Sequence, residues 1–254
     1  MNIVSKIDDW QAIRKTLTHQ KIGFVPTMGH LHAGHLSLCE SAKRENDVTV
    51  MSIFVNPTQF NQKNDFEKYP RTLENDIELL RAQQIDYLFA PDEKSMYPDD
   101  YAFQLHETAI SRELEGEFRP GHFNGMLTVV LKLLNLIQPS RAYFGEKDFQ
   151  QLVLIKKMVT ALFLPIEIIS CETVRAEDGL ALSSRNSRLN PSQREKATQF
   201  PELLTSAFSL PQIREQLTSA GFKVDYIAEK WGRRLGAVWL DDIRLIDNIS
   251  LEKV

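Results

Sequence analysis

Short apolar runs alternate with longer amphipathic stretches through the first two thirds of this 254-residue chain, and few architectures accept that pattern. KIGFVP (21–26), DVTVMSIFV (47–55), DYLFAP (86–91), RAYFG (141–145) and residues 166–170 read as strands. DVTVMSIFV is nearly all apolar and rich in β-branched residues, as a strand covered on both faces must be. Helices are expected from Asp8 to about Gln20, from near Gly34, from about Thr72 to Gln84, over 123–137, and from Asp148 to Leu162. Strands alternating with such helices predict an α/β fold, a Rossmann-like and mostly parallel sheet with helices on both faces. Ligands of such sheets bind beyond the carboxyl ends of the strands. The polar segments after Pro26, after Val55 and at Gly145 fall at three of those ends.

The texture changes after Val174. RAEDGLALSSRNSRLNPSQ is a polar connector with Asp-Gly turn chemistry. Short helical pieces interrupted by Pro201 and Pro211 come next, and FKVDYIAEK with AVWLDDIRLID predicts a small antiparallel sheet. A Rossmann-like domain over 1–175 and a smaller α+β domain over 176–254 are therefore expected.

Composition narrows the partners. Thirty basic against thirty-four acidic residues give a net charge of -4, which carries no overall electrostatic footprint for nucleic acid. The greasiest run, LTVVLKLLNLI (127–137), is broken by Lys132 and Asn135 and falls short of the roughly 18 apolar residues of a membrane span. The opening residues carry acids early and do not read as a signal peptide. The expectation is a cytoplasmic protein without nucleic-acid or membrane partners. Cys39 and Cys171 are too few for a disulfide framework and are expected as buried free thiols.

The segment PTMGHLHAGH (26–35) carries the sharpest chemical signal. Gly29 and Gly34 let the backbone approach a ligand, and a helix opening near Gly34 aims amide hydrogens and its positive dipole end into the loop. His32 and His35 add imidazole donors there, a set suited to charge building at phosphorus. A metal site and a solvated polar loop stay open on spacing alone, although no His-Glu-x-x-His pattern is present. Further candidates stand at other strand ends. GEKDFQQ (145–151) offers Lys147, Asp148 and Gln151, and FVNPTQF (54–60) offers Asn56 and Gln59. GEFRPGHF (116–123) offers Arg119 and His122, LSSRNSR (182–188) offers two hydroxyls before Arg185, and Asp76 lies on a predicted helix. Each of these, taken singly, also reads as an ordinary turn, loop or solvated helix residue.

Together, PTMGHLHAGH, SIFVNPTQF, LEGEFRPGHFNGMLTVVLKLLN, AYFGEKDFQQ and RAEDGLALSSRN resemble the pantothenate synthetase (pantoate–β-alanine ligase) family, in unbroken order over about residues 20–190. The element His32-Ala33-Gly34-His35 is shared more widely, with nucleotidylyltransferases and class I aminoacyl-tRNA synthetases. The resemblance implies ATP-dependent condensation of pantoate with β-alanine through a pantoyl adenylate, releasing AMP and pyrophosphate. It implies ATP as substrate with Mg2+, and a homodimer.

By motif, the resemblance places Met28, Gly29, His30, Leu31, His32, Ala33, Gly34 and His35 along the nucleotide, with His32 and His35 at the α-phosphoryl transition state. It places Gly145, Glu146, Lys147 and Asp148 at ribose and phosphates and Val174 at adenine. Leu182 falls along the nucleotide and Ser183, Ser184 and Arg185 at the outer phosphates, with Lys147 and Arg185 counted as catalytic. Gln59 and Gln151 would hold pantoate, with Asn56 nearby and Arg119 and His122 at the acyl end, and a domain over 176–254 would cover the nucleotide. Asp76 falls at a magnesium-associated acid, but Asn75 stands where an acidic pair is common, and the C-terminal part is short for the family. A nucleotidylyltransferase acting on a phosphorylated alcohol is the alternative enzyme, and a histidine-rich metal-binding or scaffolding module is the alternative from another class.

Overall fold

The computed structural model describes residues 1–61 and 63–252. The chain divides into two compact units, one of residues 1–145 and 150–171, the other of residues 146–149 and 172–254.

The first unit is built on six strands: β1 (Asn2–Val4), β2 (Ile22–Thr27), β3 (Val48–Ile53), β4 (Tyr87–Phe89), β5 (Arg141–Gly145) and β6 (Glu167–Cys171). They run in the order β1-β4-β3-β2-β5-β6, every pair parallel. The direction of winding reverses between β2 and β5, which pair through Gly23 with Arg141 and Phe24 with Ala142. Crevices at such reversals are where doubly wound sheets bind ligands, and the PTMGHLHAGH loop leaves the end of β2. Val25 and Met51 on the two central strands are fully buried, packed with Leu38, Leu80 and Leu88.

The greasy run at 127–137 lies inside a helix, His122–Ile137, that is buried nearly all round. That burial explains its composition, and no helix among the described residues is long and apolar enough to cross a membrane. The Ile7–Thr16 helix closes its far end: Trp10 Nε1 donates to the Leu136 carbonyl at 2.9 Å and Arg14 Nε to that of Ile137 at 3.1 Å. Carbonyls in a last helical turn have no partner within the helix, so these donors satisfy them. At the other end Gly125 admits a close approach. A Cβ there would stand 2.2 Å from the Thr58 carbonyl oxygen and 2.7 Å from the Gln59 amide, both backbone.

The second unit carries a three-stranded antiparallel sheet, β7 (Lys223–Lys230), β8 (Arg233–Leu240) and β9 (Ile243–Ser250). The stretch AVWLDDIRLID is thus two strands, turning at Asp241, whose φ is +53°. The β7–β8 turn uses Trp231 and Gly232, both at positive φ, as tight hairpins require. Three helices, Pro191–Ala197, Gln199–Thr205 and Leu210–Ser219, cover the sheet's core of Phe200, Leu204, Ile213, Leu217 and Val238. Pro201 and Pro211 do not interrupt helices as the sequence reading expected. They sit in first turns, where the missing amide hydrogen costs nothing. The Asp178–Gly179 turn forms as expected, with the Leu180 amide donating to Asp178 Oδ1 at 3.1 Å.

Candidate active site

In the first unit, β2 ends at Thr27 and the chain turns through two left-handed residues, Gly29 (φ +82°) and His30 (φ +53°). A side chain at 29 would meet Asp76 Oδ2 at 3.0 Å and Ile53 Cγ2 at 3.1 Å, so glycine is required. The strain at His30 is held by Asp76: Oδ2 accepts the His30 amide at 2.9 Å and Oδ1 the Leu31 amide at 2.8 Å. Thr72 Oγ1 adds a donor to Oδ1 at 3.3 Å. Asp76 is fully buried. Its two oxygens are committed to the backbone, so this carboxylate does not fit a magnesium site. Among the described residues no group of three or more His, Cys, Asp or Glu could hold a metal ion.

The next helix, Ala33–Glu45, is capped by imidazoles. His32 Nδ1 accepts the Gly34 amide at 3.2 Å, and His35 Nδ1 accepts the His32 amide at 3.3 Å. An Nδ1 that accepts carries no proton, so each neutral ring holds its hydrogen on Nε2. The rings stack 4.0 Å apart, with 35° between their planes. Two Nε2–H donors therefore stand side by side at a helix N-terminus, where amide hydrogens and the dipole also favour an anion.

A second cluster in this unit is built around Gln59. Its backbone carbonyl lies 2.8 Å from His122 Nδ1, and its Oε1 accepts from Asn56 Nδ2 at 3.1 Å. Its Nε2 meets Met28 Sδ at 3.0 Å, which ties the cluster to the β2 loop. A carbonyl only accepts and a guanidinium only donates. His122 thus has its proton on Nδ1, and its Nε2 accepts from Arg119 at 3.1 Å. Arg119 also pairs with the buried Glu115 at 3.7 Å. Both ring nitrogens of His122 are thereby engaged within the chain, one by Gln59 and one by Arg119. Gln151 is half-buried in the first turn of the Phe149–Ala161 helix, while its neighbour Gln150 is buried. Gln150 Nε2 donates to the carbonyls of Ile110 and Glu113 at 2.9 and 2.8 Å, and its Oε1 accepts the Glu115 amide at 3.0 Å.

The sequence reading missed Tyr97 and Gln150. Tyr97 donates to Asn56 Oδ1 at 2.7 Å. Burial is the main cause that raises its phenol above the ordinary range, against the pull of its hydrogen bonds to Thr58 and Asn56. Tyr97 lies outside every motif, and Gln150, although it belongs to GEKDFQQ, has its partners far away in sequence.

The second unit holds the remaining candidates. Val174 and Leu182 face each other across a short hairpin, the Leu182 amide donating to the Val174 carbonyl at 3.0 Å. Ser183 caps the 3-10 turn Ser184–Arg188 by accepting the Arg185 amide at 3.3 Å. Lys147, Ser183 and Arg185 line one cavity of about 20 Å³ together with Asn186 and Arg244, room for a single water. The strand β9 fixes the Lys147 segment, since Asn248 Nδ2 donates to the carbonyls of Glu146 and Lys147 at 2.8 and 2.9 Å. Arg233 binds Asn248 Oδ1 at 2.8 Å, pairs with the Glu146 carboxylate and lies 4.3 Å over the Phe149 ring. Asp148 is exposed, 3.8 Å from Lys147 Nζ.

The pantoate-beta-alanine ligase family model matches residues 2–250. The chain belongs to the pantoate–β-alanine ligase family. A pantothenate synthetase of Coxiella burnetii is 53% identical over 251 residues, covering 99% of this chain and 97% of the relative. One from Legionella pneumophila is 51% identical over 252 residues, 99% of this chain and 100% of the relative. The pantoate-beta-alanine ligase of Francisella tularensis, solved with beta-gamma ATP and beta-alanine, superposes with a TM-score of 0.95 at 46% identity, covering 100% of this chain and 99% of that one. The Thermus thermophilus pantothenate synthetase does so with a TM-score of 0.92 at 41% identity, both chains covered in full. The short C-terminal part is therefore a form shared with other pantoate–β-alanine ligases.

Proposed function

We propose that the chain condenses pantoate with β-alanine at the expense of ATP, through a pantoyl adenylate. The observation that carries this reading is the His32–His35 pair, two Nε2–H donors fixed by backbone amides at a helix N-terminus beside the reversal of the sheet. The pantoate carboxylate attacks the α-phosphorus, the bond to the bridging oxygen breaks, and pyrophosphate leaves. Charge accumulates on the α-phosphoryl oxygens in that step, and preorganised donors stabilise it without reorganising. The backbone of Met28, Gly29, His30, Leu31, Ala33 and Gly34 lines the nucleotide in this reading. Gly145, Glu146, Lys147 and Asp148 contact ribose and phosphates, Val174 and Leu182 the base side, and Ser183, Ser184 and Arg185 the outer phosphates. Gln59 and Gln151 hold pantoate.

The amine of β-alanine then attacks the acyl carbon and loses a proton, and AMP departs as the leaving group. Asn56 and His122 act by shaping Gln59, and Arg119 acts one step back by donating to His122. The same reading makes the protein cytoplasmic and a homodimer; light scattering on the purified chain checks the dimer, and cell fractionation checks the location. The deciding experiment is pyrophosphate release from MgATP with pantoate and β-alanine omitted in turn. Turnover that needs both acids, with stoichiometric AMP, supports the ligase. Release without either acid refutes it.

A further inference from the structure

We propose that Tyr97, held in place by Lys132, is a positioning residue for recognition of the hydroxy acid: acting through Asn56, it keeps the Gln59 amide turned so that Nε2 rather than Oε1 meets the substrate. The inference rests on the ligase reading and adds a residue and a polarity to it.

The polarity follows from groups that can act in only one way. The Gly125 carbonyl only accepts, so the Asn56 atom 3.2 Å from it is Nδ2. The second hydrogen of Nδ2 points at Gln59, so the atom receiving it is Oε1. That leaves Nε2 on the side of Met28 Sδ, a weak acceptor that a ligand oxygen outcompetes. Asn56 is 1% exposed, and its Oδ1 depends on two hydroxyl donors, Tyr97 at 2.7 Å and Thr58 at 3.1 Å. The Tyr97 bond is the shorter. Thr58 Oγ1 also lies 3.3 Å from the Tyr97 hydroxyl, so the three groups form one unit.

Lys132 accounts for the placement of the ring. Its Nζ sits 4.5 Å over the Tyr97 ring and is itself fixed to the Met96 carbonyl at 2.9 Å and Asp99 Oδ1 at 3.1 Å. The one charge in the helical run at 127–137 thus serves a polar relay: Lys132 to Tyr97, Tyr97 to Asn56, Asn56 to Gln59. A donor amide reads an acceptor. A site that hydrogen-bonds a substrate hydroxyl oxygen discriminates strongly against the acid lacking it, because the amide is then left unpaired.

The test uses Tyr97→Phe in the full chain, with KM measured separately for pantoate, ATP and β-alanine, and with the analogue of pantoate that lacks the terminal hydroxyl as competitor. The pantoate KM is expected to rise by about three- to tenfold, the scale of one hydrogen bond, with the other two constants within about twofold. Preference for pantoate over the deoxy acid falls in step. Lys132→Met moves the same constants in the same direction by less. Should Tyr97→Phe fold poorly, Thr58→Val removes the other donor and must show the same split. Equal changes in all three constants, or an unmoved pantoate KM in both variants, overturn the assignment while the wild-type ligase stands. Wild-type turnover indifferent to pantoate overturns the ligase reading and this assignment with it.

Discussion

His35 accepts the backbone amide of His32 on Nδ1, and the two imidazoles lie 4.0 Å apart. One contact therefore does two things: it caps a helix and it settles which nitrogen of His35 carries the proton. Replacing His35 by alanine removes both. Formation of the adenylate is expected to fall by about 10²–10³-fold, the scale of one transition-state donor. Reaction of preformed adenylate with β-alanine should be far less affected, and rapid-quench measurement of the two half-reactions separates them. A thermal shift reports the cap, about 1 kcal/mol. Equal loss in both half-reactions refutes the assignment to phosphoryl transfer.

Asp76 receives two adjacent amides on its two oxygens. Asp76→Asn turns an NH2 group against one of those donors and should destabilise the chain by about 1–3 kcal/mol in denaturant titrations. The magnesium concentration for half-maximal activity is expected to stay where it was. A tenfold shift in that concentration without loss of stability would instead mark Asp76 as a ligand.

Asn248 is the donor to both carbonyls of the Glu146–Lys147 segment. With Asn248→Ala the expected change is a rise of about three- to tenfold in the ATP KM, since Lys147 loses its backbone anchor. The pantoate KM is expected to hold. Steady-state kinetics with each substrate varied in turn decide it.

Cys39 is fully buried, and burial above all pushes its thiol up to about 12. At pH 8 the native chain should leave Cys39 unlabelled by a thiol reagent that modifies it in denaturant. Only the unfolded state ionises this thiol between its ordinary value of 9.0 and about 12, so its contribution to stability is lost as pH climbs through that window. Cys39→Ala should flatten the alkaline fall in stability measured by denaturant titration.

Much of the fold was legible because it rests on hydrophobic period. The strand read at 141–145 forms over those residues, and the helix read at 123–137 begins one residue earlier. Strand β1 has only three residues and leaves no periodic signal, and the turn at Asp241 hides inside an apolar-acidic run. The prolines at 201 and 211 misled because proline breaks helix interiors yet suits first turns. At the site, His32 and His35 are three residues apart on a helix start, so spacing alone brings them together. Tyr97 reaches Asn56 across 41 residues and Gln150 reaches Glu113 across 37. Such pairs depend on tertiary packing, and no local pattern announces them. Asp76 shows the converse: its residue type suggested a cation, while its buried surroundings gave it amides to bind.

The grouping of residues 146–149 with the C-terminal unit has a consequence for how this chain could be recombined with its relatives. A crossover at residue 172 looks like a seam, yet it would take Lys147 from one parent and Asn248 and Arg233, which clasp its segment, from the other. Functional chimeras should therefore tolerate exchange of 172–252 only when 146–149 travels with it, so the heritable module here is discontinuous along the gene.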